Sequence, residues 1–250
     1  TIPVFLNLPL KNAQQWLSEI PEIIQGFEIY IPGERLRDSD SIDIPVKTSI
    51  TLHAPYLEMG LGLMDRDIRK ICIDTMRVAI ESAIDMKALG VVFHTGFDPV
   101  KFFSPSIFKK WLKMAAVTLE EVTDGFYSLP EIFFENVFET KAAQFFTIIE
   151  ELSKVREVSV CFDTGHFNYI AQDELSDWCR ETANFNNQLH LHDNDGHGDW
   201  HFPPGAGNFP FGRFFDIFEL KRTRRMVLEM HKKSHFQPAA RWISEIVEKL

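Results

Sequence analysis

Twelve residues, HLHDNDGHGDWH from His190 to His201, include four histidines and three aspartates and almost nothing that could build a core. Such a density of imidazole and carboxylate is the chemistry of divalent cations and of acid–base catalysis. Donors of this kind, without thiolate, suit Zn, Mn or Co rather than an iron–sulfur cluster. Asp199 and His201 flank Trp200 as a D-x-H pair whose side chains share a face in extended backbone and could meet one ion. Candidates of the same chemistry recur along the chain: His53 in LHAPY, His94 in FHTG, Glu135 in FENV, Asp163 and His166 in FDTGH, His190 or His192 in LHLHD, and Glu229 in LEM. Each has an ordinary explanation. A lone histidine is more often a hydrogen-bonded core or surface residue, and Asp163 could simply cap the turn DTGH. Glu135 and Glu229 stand in apolar runs, where an unpaired carboxylate is costly. His197 and Asp195 read as solvated loop residues. If the others converge, cations are the economical way to satisfy all of them at once.

Convergence depends on the elements that carry these residues. Eight short β-type runs alternate with helical ones from end to end: PVFLNL, GFEIYI, SITLHA, GVVFHT, EIFFEN, VSVCFD, NQLHLH and RMVLEM. Apolar residues at helical spacing predict helices over 12–20, 67–89, 106–125, 140–155, 173–182, 211–220 and 238–250. Only the link between the second and third strands lacks one. Several strands are near-continuous apolar runs, as expected for parallel strands covered on both faces. Eight such strands in 250 residues predict an α/β fold, a single (β/α)8 TIM barrel spanning residues 1–250 as one domain. In that architecture the strand C-termini form the active face, which is where the six candidates stand. His166 would return to the cavity through a tight turn at Gly165.

Composition narrows the partners. The net charge is −10 and the pI is near 5.4, so the chain repels polyanions on average and shows no basic stripe for nucleic acid. Nucleic acid is possible but not favoured. Three scattered cysteines without a CxxC suggest a reduced, cytoplasmic chain. The apolar opening is too short to span a membrane and lacks a basic leader, so no membrane association or targeting is expected. Oligomeric state does not follow from the sequence.

HAPYLEMGLG, HTG, EN, DTGH, HLHD, DWH followed by PPGAGNF, and LEM together resemble the xylose isomerase-like TIM barrel superfamily, which includes endonuclease IV and many sugar isomerases and epimerases. By resemblance to endonuclease IV, His53, His94 and Glu135 would hold one zinc ion, Glu135, Asp163, His190 and Glu229 a second, and His166, Asp199 and His201 a third. Resemblance to the isomerases implies one Mn, Co or Mg ion on Glu135, Asp163, His190 and Glu229, with His166 touching the substrate. The family's spacing to Asp193 favours His190 over His192, although strand periodicity points both the same way. The chain departs from the endonuclease pattern, with DTGH for DTCH, HLHD for HLND and no glycine-rich run after Glu135-Asn136.

Two enzymatic chemistries follow. A divalent-metal-dependent isomerase or epimerase would act on a sugar or sugar phosphate, Glu135 and Glu229 moving the proton beside a polarised carbonyl. Tyr56, Trp200, Phe202 and Phe97 would stack on the sugar, with His192 and Lys232 as further contacts. A zinc phosphodiesterase of the endonuclease IV kind is the alternative. Against it stand the acidic balance and few cations near the mouth: Arg35, Arg37, Lys232 and Lys233. KRTRR belongs at the opposite rim. A barrel that binds without turnover is the third class.

Overall fold

A computed structural model describes residues 2–9, 20–33, 48–56 and 59–249. Residues 12–19 of the first expected helix, and Arg35 and Arg37 in the link between the second and third strands, lie outside the described residues. Eight parallel strands close into one barrel in sequence order, β1 (Val4–Pro9), β2 (Gly26–Tyr30), β3 (Ser49–His53), β4 (Gly90–His94), β5 (Glu131–Glu135), β6 (Ser159–Asp163), β7 (Asn187–Leu191) and β8 (Thr223–Leu228). β8 pairs back onto β1 through Val4 and Met226. The fold is a single (β/α)8 barrel.

Helices cover the outside: α1 (Arg66–Asp85), α2 (Pro105–Thr123), α3 (Ala142–Ser153), α4 (Thr164–Ile170), α5 (Leu175–Thr182), α6 (Phe211–Ile217) and α7 (Phe236–Val247). Local signals set their starts. The Asp65 carboxylate accepts from the backbone N–H groups of Asp67 and Ile68 ahead of α1, and Ser104 caps α2 with Pro105 in its first turn. The main core lies between helices and strands, where Trp111, Trp178, Phe145 and Phe162 are fully enclosed. Phe97 belongs to it, packed on Phe102, Phe108 and Trp111, so its expected place on the sugar gives way to core packing. Burial of the ring there removes more apolar surface from water than a place at an open mouth would.

The barrel interior is different. Val92, Phe133 and Cys161 form a small apolar cluster of their own inside it. Around them stand buried polar residues, Asn7, Glu28, Thr51, Gln188 and Arg225. Arg225 lies over the Phe5 and Phe133 rings and donates to Gln188 Oε1 at 2.8 Å. Of KRTRR, then, this arginine plugs the lower end of the barrel. Two residues further along each strand, on the same face, come Glu135 after Phe133, Asp163 after Cys161, and His190 after Gln188. A packed lower layer thus carries a layer of imidazoles and carboxylates at the strand C-termini. No helix among the described residues is long and apolar enough to cross a membrane.

Candidate metal centre

Glu135, at the end of β5 and 1% exposed, is the hub. Its Oε2 lies 3.2 Å from His53 Nε2 and 3.1 Å from His94 Nε2. Oε1 lies 3.1 Å from His166 Nδ1 and 3.4 Å from His190 Nδ1. The same His190 nitrogen is 2.9 Å from Glu229 Oε2 and 3.8 Å from Asp163 Oδ2. His166 Nε2 and His201 Nε2 approach Asp199 Oδ2 at 3.4 and 3.2 Å. All nine donors expected from the sequence therefore meet in one connected cluster. Ligand atoms within 4.8 Å of one another group His53 with His94 and Glu135, His53 with His190 and Glu229, Asp163 with His166 and His192, and His192 with Asp199 and His201.

Hydrogen bonds fix which nitrogen of each ring faces the cluster. His53 Nδ1 donates to the Ala54 carbonyl at 2.9 Å, His166 Nδ1 to the Asn136 carbonyl at 3.1 Å, and His201 Nδ1 to the Glu229 carbonyl at 3.1 Å. A carbonyl can only accept, so these rings turn the opposite nitrogen, with its lone pair when neutral, towards carboxylates, and the His166 Nδ1–H is shared between the Asn136 carbonyl and Glu135 Oε1. His190 reaches the same state differently: its Nε2 faces Glu28 Oε1 at 2.8 Å, leaving Nδ1 for Glu135 and Glu229. Lone pairs aimed at carboxylates repel unless a cation or a proton lies between them. Three such buried atoms, His94 Nε2, His190 Nδ1 and Glu229 Oε2, have no hydrogen-bond partner. The donor set fits divalent metal.

Protons do the work in the bare chain. Burial opposes charge on His190, but Cys161, Glu28, Glu135 and Glu229 outweigh it and raise the imidazole well above its ordinary range. His166 is raised likewise, burial being overcome by Asp163, Asp199 and Glu135. Burial also favours neutral Glu135 and Glu229, yet the His190 charge beside both holds them well below the usual carboxylate range.

Local folding delivers the ligands of the third group. His166 comes back to the cavity on the first turn of α4, not through a glycine turn: the Asp163 carboxylate caps that helix, accepting from the His166 N–H at 2.6 Å. Asp193 organises the loop after β7, its carboxylate accepting from the backbone N–H groups of Asn194, Gly205, Gly207 and Phe209. An antiparallel bridge between Asp193 and Phe202 then presents Asp199 and His201. His201 itself takes a left-handed φ of 49°, a conformation uncommon outside glycine and often found at sites.

A cavity of about 410 Å³ opens over the cluster, lined by Tyr30, Tyr56, Phe138, Tyr169, His94, His166, Asp199, His201, Glu229 and His231 among others. None of its described lining residues is Lys or Arg. Trp200 and Lys232 are not in its wall; Trp200 is 54% exposed and donates to Asp195. Sequence reading missed Glu28, Asp193, Glu139 and His231. Glu139 accepts from Thr95 Oγ1 and the Val137 N–H, tying the loop after β5 to β4. A lone carboxylate in GFEIYI, at the strand position two before a mouth residue, was the signal available for Glu28. His231 stacks on His201 with centroids 3.6 Å apart.

The family described as xylose isomerase-like TIM barrel matches residues 41–250. Among curated proteins, MJ1311 of Methanocaldococcus jannaschii is 24% identical over 224 residues, 83% of this chain and 74% of that protein. Among solved structures, the TTHB071 protein from Thermus thermophilus, soaked with ZnCl2, is 19% identical with a TM-score of 0.78, covering 100% of this chain and 99% of its own. A D-tagatose 3-epimerase-like protein is 19% identical with a TM-score of 0.77, covering 99% and 97%. Endonuclease IV from Thermus thermophilus is 16% identical with a TM-score of 0.66, covering 97% and 99%.

Proposed function

Because this chain belongs to the xylose isomerase-like TIM barrel family, and Glu135 and Glu229 close on one His190 nitrogen beneath a small cavity, we propose a divalent-metal-dependent isomerase or epimerase of a sugar or sugar phosphate. The carrying observation is that pair of buried carboxylates, one ending β5 and one directly after β8, 3.4 and 2.9 Å from His190 Nδ1. Glu135, Asp163, His190 and Glu229 would hold the central ion, with His53 and His94 on the far side of Glu135. A bound ion would polarise a hydroxy-carbonyl group and make the adjacent C–H acidic. Glu229, which faces the cavity, would take that proton and in an isomerisation return it to the neighbouring carbon. In an epimerisation Glu135 would enter the cycle already protonated and return its proton from the other side, leaving Glu229 protonated for the reverse turn. His166 Nε2 orients a substrate hydroxyl, and Tyr56 and the His201–His231 stack bound the pocket. The small cavity, with Tyr30, Tyr56, Phe138 and Tyr169 in its wall, suits a small polyol stacked on aromatic rings. The three buried cysteines, none of them in a disulfide, are in keeping with a reducing, cytoplasmic setting, and residues 1–250 are read as one domain.

A second reading, a zinc phosphodiesterase, is favoured by one observation: Asp199, His201 and His166 complete a nine-donor set that three ions would fill. Elemental analysis of purified protein separates the two. A single exchangeable Mn, Co or Mg supports the isomerase, and close to three zinc ions per chain support the phosphoesterase. Parallel assays on ketoses, ketose phosphates and abasic duplex DNA name the reaction. Glu229→Gln should abolish isomerisation while retaining ligand binding; undiminished turnover in that variant removes Glu229 from the chemistry.

A further inference from the structure

His192 is completely buried, yet the nine-donor set gives it no place. Its ring fills the space beside Gly165, where an added Cβ would overlap ring atoms Cε1, Nδ1 and Nε2. Gly165 has no left-handed φ to explain it, being part of α4. The glycine is there for the imidazole. Two departures noted in the sequence, glycine in DTGH and histidine in HLHD, are thus one packing unit.

The ring's Nε2 faces Asp163, 2.9 Å from Oδ1 and 3.0 Å from Oδ2, and stands 3.8 Å from Asp199 Oδ1. Between a nitrogen and a carboxylate at that separation must lie a proton or a metal ion. Ring geometry rules against one metal arrangement, an ion shared with His201. His192 and His201 stack with centroids 3.9 Å apart and planes 4° from parallel. An imidazole binds metal along the in-plane lone pair of its nitrogen, and two parallel planes that far apart share no point where both lone pairs meet. His201, whose Nδ1 is already committed to the Glu229 carbonyl, has its Nε2 on Asp199 Oδ2, the same oxygen that His166 Nε2 approaches. His192 cannot join it on the same ion.

We propose that His192 is a positioning residue that donates its Nε2 proton to Asp163, holding that carboxylate for an ion among Glu135, His190 and Glu229 without ligating metal itself. The inference rests on the metal-centre reading above. It extends it by assigning an imidazole, seated by Gly165, to the orientation of one ligand. Thr164 supports the arrangement, its hydroxyl donating to the His192 carbonyl at 2.8 Å.

The test compares full-length wild type with His192→Gln, which keeps an N–H donor near that reach, with His192→Leu and His192→Asn, which do not, and with Gly165→Ala. Zinc affinity is read by chelator competition, stoichiometry by elemental analysis at saturating zinc, and ligand geometry by the visible spectrum of the cobalt form. Loss of an outer partner of a ligand weakens binding by about 10- to 100-fold. That loss is expected in the Leu, Asn and Ala variants at unchanged stoichiometry, with a shifted cobalt spectrum, and Gln should restore most of it. Gly165→Ala combined with His192→Leu should be no weaker than either alone. A stoichiometry lower by one ion in every His192 variant, Gln included, would make His192 a ligand and overturn the proposal. So would wild-type affinity in the variants lacking the donor. Wild type that takes up no divalent metal would instead sink the functional reading itself, a result distinct from tight wild-type binding that ignores position 192.

Discussion

Glu28 shows how much of the centre is decided one layer below the ligands. Its carboxylate accepts from His190 Nε2 at 2.8 Å, from Thr51 Oγ1 at 3.1 Å and from Gln188 Nε2 at 2.9 Å. Burial favours its neutral form, but the His190 charge prevails and lowers its pKa. Glu28→Gln removes the charge while preserving shape, and metal affinity should fall by about tenfold, read by chelator competition; unchanged affinity would leave the carboxylate without a role at the centre. His201 carries the pH dependence. Burial opposes its charge, yet Asp199, Glu229 and Asp163 outweigh it and raise the imidazole to about 9. A raised folded-state value means that the pair stabilises the metal-free protein fully below the ordinary value near 6.5 and loses that contribution as pH rises through about 9. Chelator-treated protein should therefore melt at progressively lower temperature across this window, while metal, which displaces the proton, binds more tightly. A flat melting profile there would contradict the ion pair.

Among the elements, the loop after β7 combines irregular backbone with specific anchoring. Asp193 is fully buried and gathers four backbone N–H groups from a segment that includes Gly205, with a φ of 85°, and Gly207, where a side chain would collide with Asn194 and Asp193. Hydrogen bonds to a charged acceptor contribute roughly 1.5–3 kcal/mol each, and donors left unsatisfied are expensive. Asp193→Ala should cost about 2–4 kcal/mol in denaturant unfolding and should loosen Asp199 and His201. An equally stable variant with full metal content would show that the loop holds its shape by other means. Helix α4 makes the complementary point. DTGH looks like a turn in the sequence, because four residues carry no helical periodicity, and only packing against β7 shows it to be the first turn of a helix.

For the molecule as a whole, closure is what links distant residues. β3, β4, β5, β6, β7 and the end of β8 each bring one donor to the same rim, so anything that binds the cluster binds the folded barrel and not the open chain. Saturating metal at about 100 times its dissociation constant should add roughly 2.7 kcal/mol, a rise in melting temperature on the order of 5–10 °C for a chain of this length. Calorimetry with and without chelator checks this, and identical melting curves would mean that the converging donors hold no ion.

The strands, the cyclic order and the six strand-end donors were all legible in the sequence, because period-two alternation and apolar runs are local properties of the chain. So were Asp199 and His201, two residues apart in one loop. Only tertiary structure distinguishes the surroundings of His190 and His192: both point inward, but one ring meets Glu28 from β2 while the other lies against Gly165 from α4, and on that difference rests the proposal that His190 is the ligand. It also placed Phe97 in the core, Trp200 outside the cavity and Glu28 beneath the site. Those outcomes depend on contacts between segments that only the closing of the barrel brings within a few ångströms of each other.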